Sequence, residues 1–151
     1  MSSLTLKLLG VIEGWYKPRG VEEARVLAAI AKANKLYLPF LRAVGGYFHS
    51  DLVREEDRYL RYVNNALEIA RTLGELRYAF YKFRKPVEHL SIDLDILVDP
   101  RHVPEAVSRL TEKGFKVVVL EPYTITLRRG DFIVDLYTQP SFAWVIYMSG
   151  E

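Results

Sequence analysis

No cysteine occurs among the 151 residues, which excludes a disulfide scaffold, a thiolate-held zinc site and a thiol nucleophile. Long apolar runs are missing too. Neither Val26 to Ala31 nor Phe142 to Met148 approaches the roughly 20 residues that a membrane helix needs, so no membrane association is expected. Nothing at the N-terminus reads as a signal peptide, because Lys7 follows the first apolar residues and Glu13 closes the stretch. A soluble, cytoplasmic protein is the expectation. Side-chain amides are scarce, with Asn34, Asn64, Asn65 and Gln139 the only four. Together with two Met and thirteen Arg against eight Lys, this composition points toward a thermophilic source. Neither a Gly-x-Gly-x-x-Gly nor a Walker-type glycine loop is present, which argues against Rossmann and P-loop folds. A Gly-x-Ser-x-Gly esterase turn is absent as well. His49, His89 and His102 are scattered and match no metal-ligand spacing.

What remains is ample for a folded core. Half the residues are hydrophobic, 26% are charged and 13% aromatic, which excludes intrinsic disorder. At this length a single domain is expected, burying about two-thirds of the surface of its unfolded chain. The net charge of +2 divides unevenly: residues 1–86 carry fifteen Lys/Arg and nine Asp/Glu, residues 87–151 six and ten. An acidic C-terminal half suits a site for metal and phosphate that basic groups frame; by itself the basic half is too weakly charged for a nucleic-acid footprint.

Residues 1–75 read as a helical segment. Ser3 caps a short apolar helix through about Glu13, and Tyr16 to Gly20 forms a loop. Val21 to about Tyr37 is rich in helix formers, with Pro39 breaking or restarting the helix. Ser50 or Asp51 opens a longer helix with Tyr59, Val63, Ala66, Leu67, Ala70 and Leu73 at helical spacing, closed by Gly74. From residue 76 the period changes to two. Arg77 to Phe83 alternates aromatic and basic residues, and Leu90 to Val98 is a strand stopped by Asp99-Pro100. A helix runs from about Pro104 to Gly114 with Val103, Ala106, Val107 and Leu110 as its apolar stripe. Phe115 to Glu121 is a strand, and Tyr123 to Arg129 and Phe132 to Thr138 form a hairpin around Gly130-Asp131. The order β–β–α–β–β–β after the helices predicts an α+β fold around one mixed sheet. Tyr59, Tyr62, Tyr78 and Tyr81 are expected to pack between helices and sheet. Phe142, Trp144, Ile146 and Tyr147 form an apolar tail.

The chemistry concentrates in Leu90-Ser91-Ile92-Asp93-Leu94-Asp95-Ile96-Leu97-Val98. Alternate residues of a strand share a face, so Asp93 and Asp95 point the same way with Cα atoms roughly 6.5–7 Å apart. Two neighbouring carboxylates repel unless a cation sits between them, and hard cations with oxygen ligands suit the pair. Asp135 shares its strand face with Ile133 and Tyr137, where a charge costs free energy unless something compensates it. If its strand lies beside the first, Asp135 completes a three-carboxylate cluster. Asp131 competes for that role but reads as a turn residue after Gly130. Lys82, Arg84 and Lys85 lie between the two strands flanking the site, and Lys82 is the candidate phosphate ligand. Arg128 and Arg129 precede the hairpin turn and read as solvent-facing.

Asp93-Leu94-Asp95-Ile96-Leu97-Val98, the Pro-started helix, Leu110 to Phe115, the hairpin and Asp135 resemble the nucleotidyltransferase superfamily related to DNA polymerase beta. The likeness is greatest to its minimal archaeal and bacterial members and covers about residues 76–140. It implies a nucleotidyltransferase-like mixed sheet packed by helices, preceded by the added helical segment. It further implies magnesium held by Asp93, Asp95 and Asp135, with Asp135 as third ligand or acceptor base. Such an enzyme binds a nucleoside triphosphate such as ATP and transfers its nucleotidyl group to a hydroxyl; the acceptor stays open among protein, small molecule and nucleic acid. Where the family carries Gly-Ser before the first Asp, this chain has Lys82-Phe83. The competing expectation is a catalytically idle relative that binds a partner on the same surface, as an antitoxin-like or scaffold protein. A metal-dependent nuclease is a third. A homodimer through the aromatic helices or the C-terminal tail is also expected.

Overall fold

The computed structural model describes residues 3–81, 90–91, 93–139, 141–142 and 145–146. They divide into two compact units, with the division inside one long helix at Arg61/Tyr62; Leu90 belongs with the first unit and the remaining later residues with the second.

The first unit is helical. Helix α1 spans Leu4–Ile12, and its cap is Ser3, whose Oγ accepts the Leu6 amide at 3.3 Å. Helices α2 (Val21–Ala33) and α3 (Tyr37–Val44) follow, then a 3₁₀ turn over Gly45–Phe48 and helix α4, His49–Leu73. Leu8, Val11, Leu27, Ala31, Phe40 and Leu41 bury their side chains together. Gly10 is a contact requirement: the Trp15 ring lies against it so closely that a Cβ would come within 2.6 Å of the ring. The break between α2 and α3 differs from the sequence expectation. It falls at Asn34–Leu36, where Lys35 takes φ 58° and the Asn34 side chain donates back to the Ile30 carbonyl. Pro39 lies inside the first turn of α3, where a missing N–H costs no helical hydrogen bond.

The second unit is a mixed α+β layer pair. Its strands are β1 (Tyr78–Phe80), β2 (Asp93–Val98), β3 (Lys116–Leu120), β4 (Thr124–Arg129) and β5 (Phe132–Tyr137), with helix α5 over Val103–Glu112. They form one sheet in the order β1-β2-β5-β4-β3. The β2–β5 pair is parallel and the others antiparallel. Parallel neighbours need a crossover, which α5, β3 and β4 provide. Gly130 takes the positive φ, 62°, that a two-residue hairpin turn requires between β4 and β5. A separate two-stranded ribbon pairs β6 (Ser141–Phe142) with β7 (Val145–Ile146).

One face of the five-stranded sheet is dry. Leu94, Ile96, Val98, Leu127, Val134 and Leu136 are buried there, as are Ala106 and Leu110 of α5 and Ala66, Ile69 and Leu73 of α4. Tyr62 packs its ring against Phe132 at 5.9 Å, and the Tyr78 hydroxyl donates to the Ala70 carbonyl. Tyr59 and Tyr81 depart from the packing expected of them. Tyr59 lies under the Arg42 guanidinium in the first unit, and Tyr81 stands edge-on to Tyr137. Among the described residues, no helix is long and apolar enough to cross a membrane.

Candidate metal centre

The alternation that buries Leu94 and Ile96 turns Asp93 and Asp95 to the opposite face of β2, where both are half-buried. The parallel partner strand then decides the site. In β5, Val134 and Leu136 go into the core and Asp135 turns out, directly opposite Asp95. One carboxylate oxygen from each of Asp93, Asp95 and Asp135 lies within 4.8 Å of the other two. The sequence expectation of a cluster is therefore met in placement, and Asp131 sits exposed in the hairpin turn as expected.

Three carboxylates at this spacing repel one another, and each is served by a hydroxyl. Ser91 Oγ donates to Asp93 Oδ1 at 2.8 Å, and Thr126 Oγ1 donates to Asp135 Oδ1 at 2.5 Å. The Tyr137 hydroxyl bonds the Asp95 carboxylate. Burial pushes the Asp135 carboxyl above the usual range, the charges of Asp95, Asp93 and Glu121 add to that, and the Thr126 hydroxyl opposes it. Tyr137 is also raised, by burial first and then by the charges of Asp95 and Asp135. An all-carboxylate donor set is that of a hard divalent cation such as magnesium, manganese or calcium. Ligands of one octahedral magnesium ion stand about 3 Å apart when adjacent and about 4.2 Å when opposite, so the three carboxylates would have to draw together to share one ion.

Thr126 and Tyr137 are site residues that sequence reading missed. Thr126 was within reach: a two-residue turn at Gly130-Asp131 pairs Arg129 with Phe132 and, three steps along, Thr126 with Asp135. Tyr137 follows from the same strand alternation as Asp135. Arg128 and Arg129, read alike from sequence, separate here. Arg129 forks onto both oxygens of Glu68, donates to the Lys113 carbonyl and stacks on Phe115 at 4.5 Å, which makes it structural. Arg128 is exposed on the face that carries the carboxylates. His102 is also structural, accepting the Arg77 amide on Nδ1 at 3.0 Å. Lys82, the expected phosphate ligand, lies outside the described residues, as do Arg84, Lys85, His89, Trp144 and Tyr147. No protein-family model matches this chain, and a search of curated proteins finds no match.

Proposed function

We propose that the protein is a magnesium-dependent nucleotidyltransferase, moving a nucleotidyl group from a nucleoside triphosphate to an acceptor hydroxyl. The observation that carries the reading is the placement of Asp93, Asp95 and Asp135 on two adjacent parallel strands with ligand oxygens within 4.8 Å of one another. Asp93 and Asp95 bind the metal from one strand, their orientation set by Ser91 and Tyr137. Magnesium bound there supplies charge neutralisation at the phosphates and a lowered pKa for a coordinated hydroxyl. Asp135 serves as third ligand or as the base that takes the acceptor proton, with Thr126 fixing one of its oxygens. The acceptor oxygen then bonds to the α-phosphorus, the bond to the bridging oxygen breaks, and pyrophosphate leaves. Most of the rate enhancement would come from positioning and fixed charge.

A second reading, a non-catalytic relative that binds a partner on this face, is favoured by one observation. All three carboxylates already accept hydrogen bonds from neighbouring hydroxyls, so the cluster is partly stabilised by the protein alone. A thermal-shift scan with each nucleoside triphosphate and magnesium, on wild type and on Asp93→Asn/Asp95→Asn, separates the two. At about 100 times the dissociation constant, binding stabilises by about 2.7 kcal/mol, a rise of roughly 5–10 °C for this length. A magnesium-dependent rise lost in the double variant supports the transferase. No rise with any triphosphate, from folded protein, transfers the reading to the partner-binding relative.

A further inference from the structure

The face of the sheet that holds the carboxylates carries a second like-charge pair. Lys116 on β3 stands directly opposite Arg128 on β4, and cross-strand neighbours of like charge destabilise a sheet. Both are exposed, and neither has a hydrogen bond or ion pair among the described residues. Arg129, Arg109 and Arg101 of this unit are paired, with Glu68, with Glu105 and Glu75, and with Asp99. Arg71, Arg77 and Lys113 have no such side-chain partner among the described residues but stand apart from the Lys116–Arg128 pair. The two cations also belong to a row that reaches the metal cluster. Asp93 is in register with Ile133, Ile133 with Arg128, and Arg128 with Lys116. Residues in register share a face, so this face presents acid, apolar, base and base across four strands. Strand spacing puts Arg128 about 10 Å and Lys116 about 14 Å from Asp93. Arg128 also stands diagonal to Asp135, within reach of a long side chain, yet no ion pair joins the two among the described residues, and one ligand can span cations and carboxylates. A ligand that coordinates metal at one end and carries an anion at the other satisfies both unfavourable pairs.

The side of the cluster on which the cations lie selects the ligand. Asp135 is the carboxylate nearest β4, bonded to Thr126 of that strand, and one of its two proposed roles is to take the proton of the acceptor hydroxyl. We infer that Lys116 and Arg128 form a phosphate-binding subsite for the acceptor, which is therefore a phosphate-bearing molecule rather than an unmodified protein hydroxyl. The word acceptor rests on the nucleotidyltransferase reading; the phosphate subsite does not. Arg binds phosphate through its planar fork and Lys as a point charge, so the pair recognises oxyanions without reading a base.

The test is direct binding, in EDTA and without any triphosphate, so that failure of the metal reading leaves it untouched. Fluorescence anisotropy of a labelled, short single-stranded oligoribonucleotide is followed over a salt series, with ribose 5-phosphate as competitor. The full chain is compared with Lys116→Gln/Arg128→Gln and with a charge-matched control in the last turn of α4 and just after α5, Arg71→Gln/Lys113→Gln. Circular dichroism verifies that each is folded. The expected result is a loss of affinity on the order of tenfold in the strand variant, with the slope of log K against log salt reduced by about 1.4, two single-strand phosphate contacts. The control stays within twofold of wild type. Competition by ribose 5-phosphate assigns the subsite to small phosphomonoesters, and failure to compete assigns it to a nucleic-acid strand. Equal weakening in both double variants, or no binding of either probe by wild type, overturns the inference.

Discussion

Asp95 and Asp135 stand directly opposite each other across the parallel β2–β5 pair, which places two carboxylates where a sheet ordinarily avoids like charges. The strand cores underneath hold that opposition in place. Leu94 and Ile96 on one strand, and Val134 and Leu136 on the other, are fully buried, and a slip of one residue would drive the carboxylates into the core. The acidic centre is thus a consequence of register, maintained by hydrophobic burial on the reverse face.

Replacing Asp135 by Asn keeps an acceptor for the Thr126 hydroxyl and removes a half-buried charge facing Asp95. Relief of one like-charge cross-strand pair is worth about 0.2–1 kcal/mol, so the variant is expected to melt roughly 1–3 °C above wild type in EDTA. With magnesium added, wild type gains stability and the variant gains less. Calorimetry with and without the metal checks both signs, and a variant less stable than wild type in EDTA would contradict the opposition.

Leu94 lies between Asp93 and Asp95 in sequence and points to the dry face, with none of its surface exposed. Leu94→Ala is expected to cost about 2–5 kcal/mol, the range for cavities left by a buried leucine. Urea unfolding reads this as a lower midpoint at unchanged slope. A loss under about 1 kcal/mol would mean that the helices do not cover this strand.

Arg129 combines a fork onto Glu68 with a ring stack on Phe115, and Glu68 is held below its usual pKa by that guanidinium. Arg129→Lys keeps the charge and loses both the fork and the stack. The expected cost is about 1–2 kcal/mol, from a cation–π contact and a partly exposed ion pair. Arg129→Gln should cost about the same. Chemical unfolding that finds the Lys variant equal to wild type would assign the residue a charge role only.

Glu23 in the first unit accepts from Lys7, the Arg19 amide and the Tyr16 hydroxyl, and these bonds bring its carboxyl down from 4.5 to about 2. A depressed carboxyl contributes stability above its unfolded value and loses it as the pH falls through the folded one. The difference in Tm between wild type and Glu23→Gln should therefore be full above pH 4.5 and shrink toward pH 2. A difference that stays constant across that window would show that the Glu23 charge contributes nothing.

Much of the second unit could be read from its residues. Period-two alternation located β2, β4 and β5, the Gly130-Asp131 turn set their hairpin, and Asp93 and Asp95 shared a face by strand geometry alone. The helical half was legible where caps and composition agreed, as at Ser3 and Gly74. It was misread where they competed: Pro39 drew the helix break to itself, yet a proline in a first turn is compatible with a helix, and the break went to Lys35.

Local pattern determined where most strands lie, that Asp93 and Asp95 share one face of theirs, and that Asp135 is a charge among apolar neighbours. Only the tertiary structure decided that β5 lies parallel beside β2, so that Asp135 meets Asp95 and not β1 or bulk water. The same pairing aligned Lys116 and Arg128 with that row, separating Arg128 from the adjacent Arg129, whose side chain faces Glu68. Strand order is set by where the α5 crossover returns the chain and by which dry faces bury together. Those are long-range contacts that no window of neighbouring residues contains.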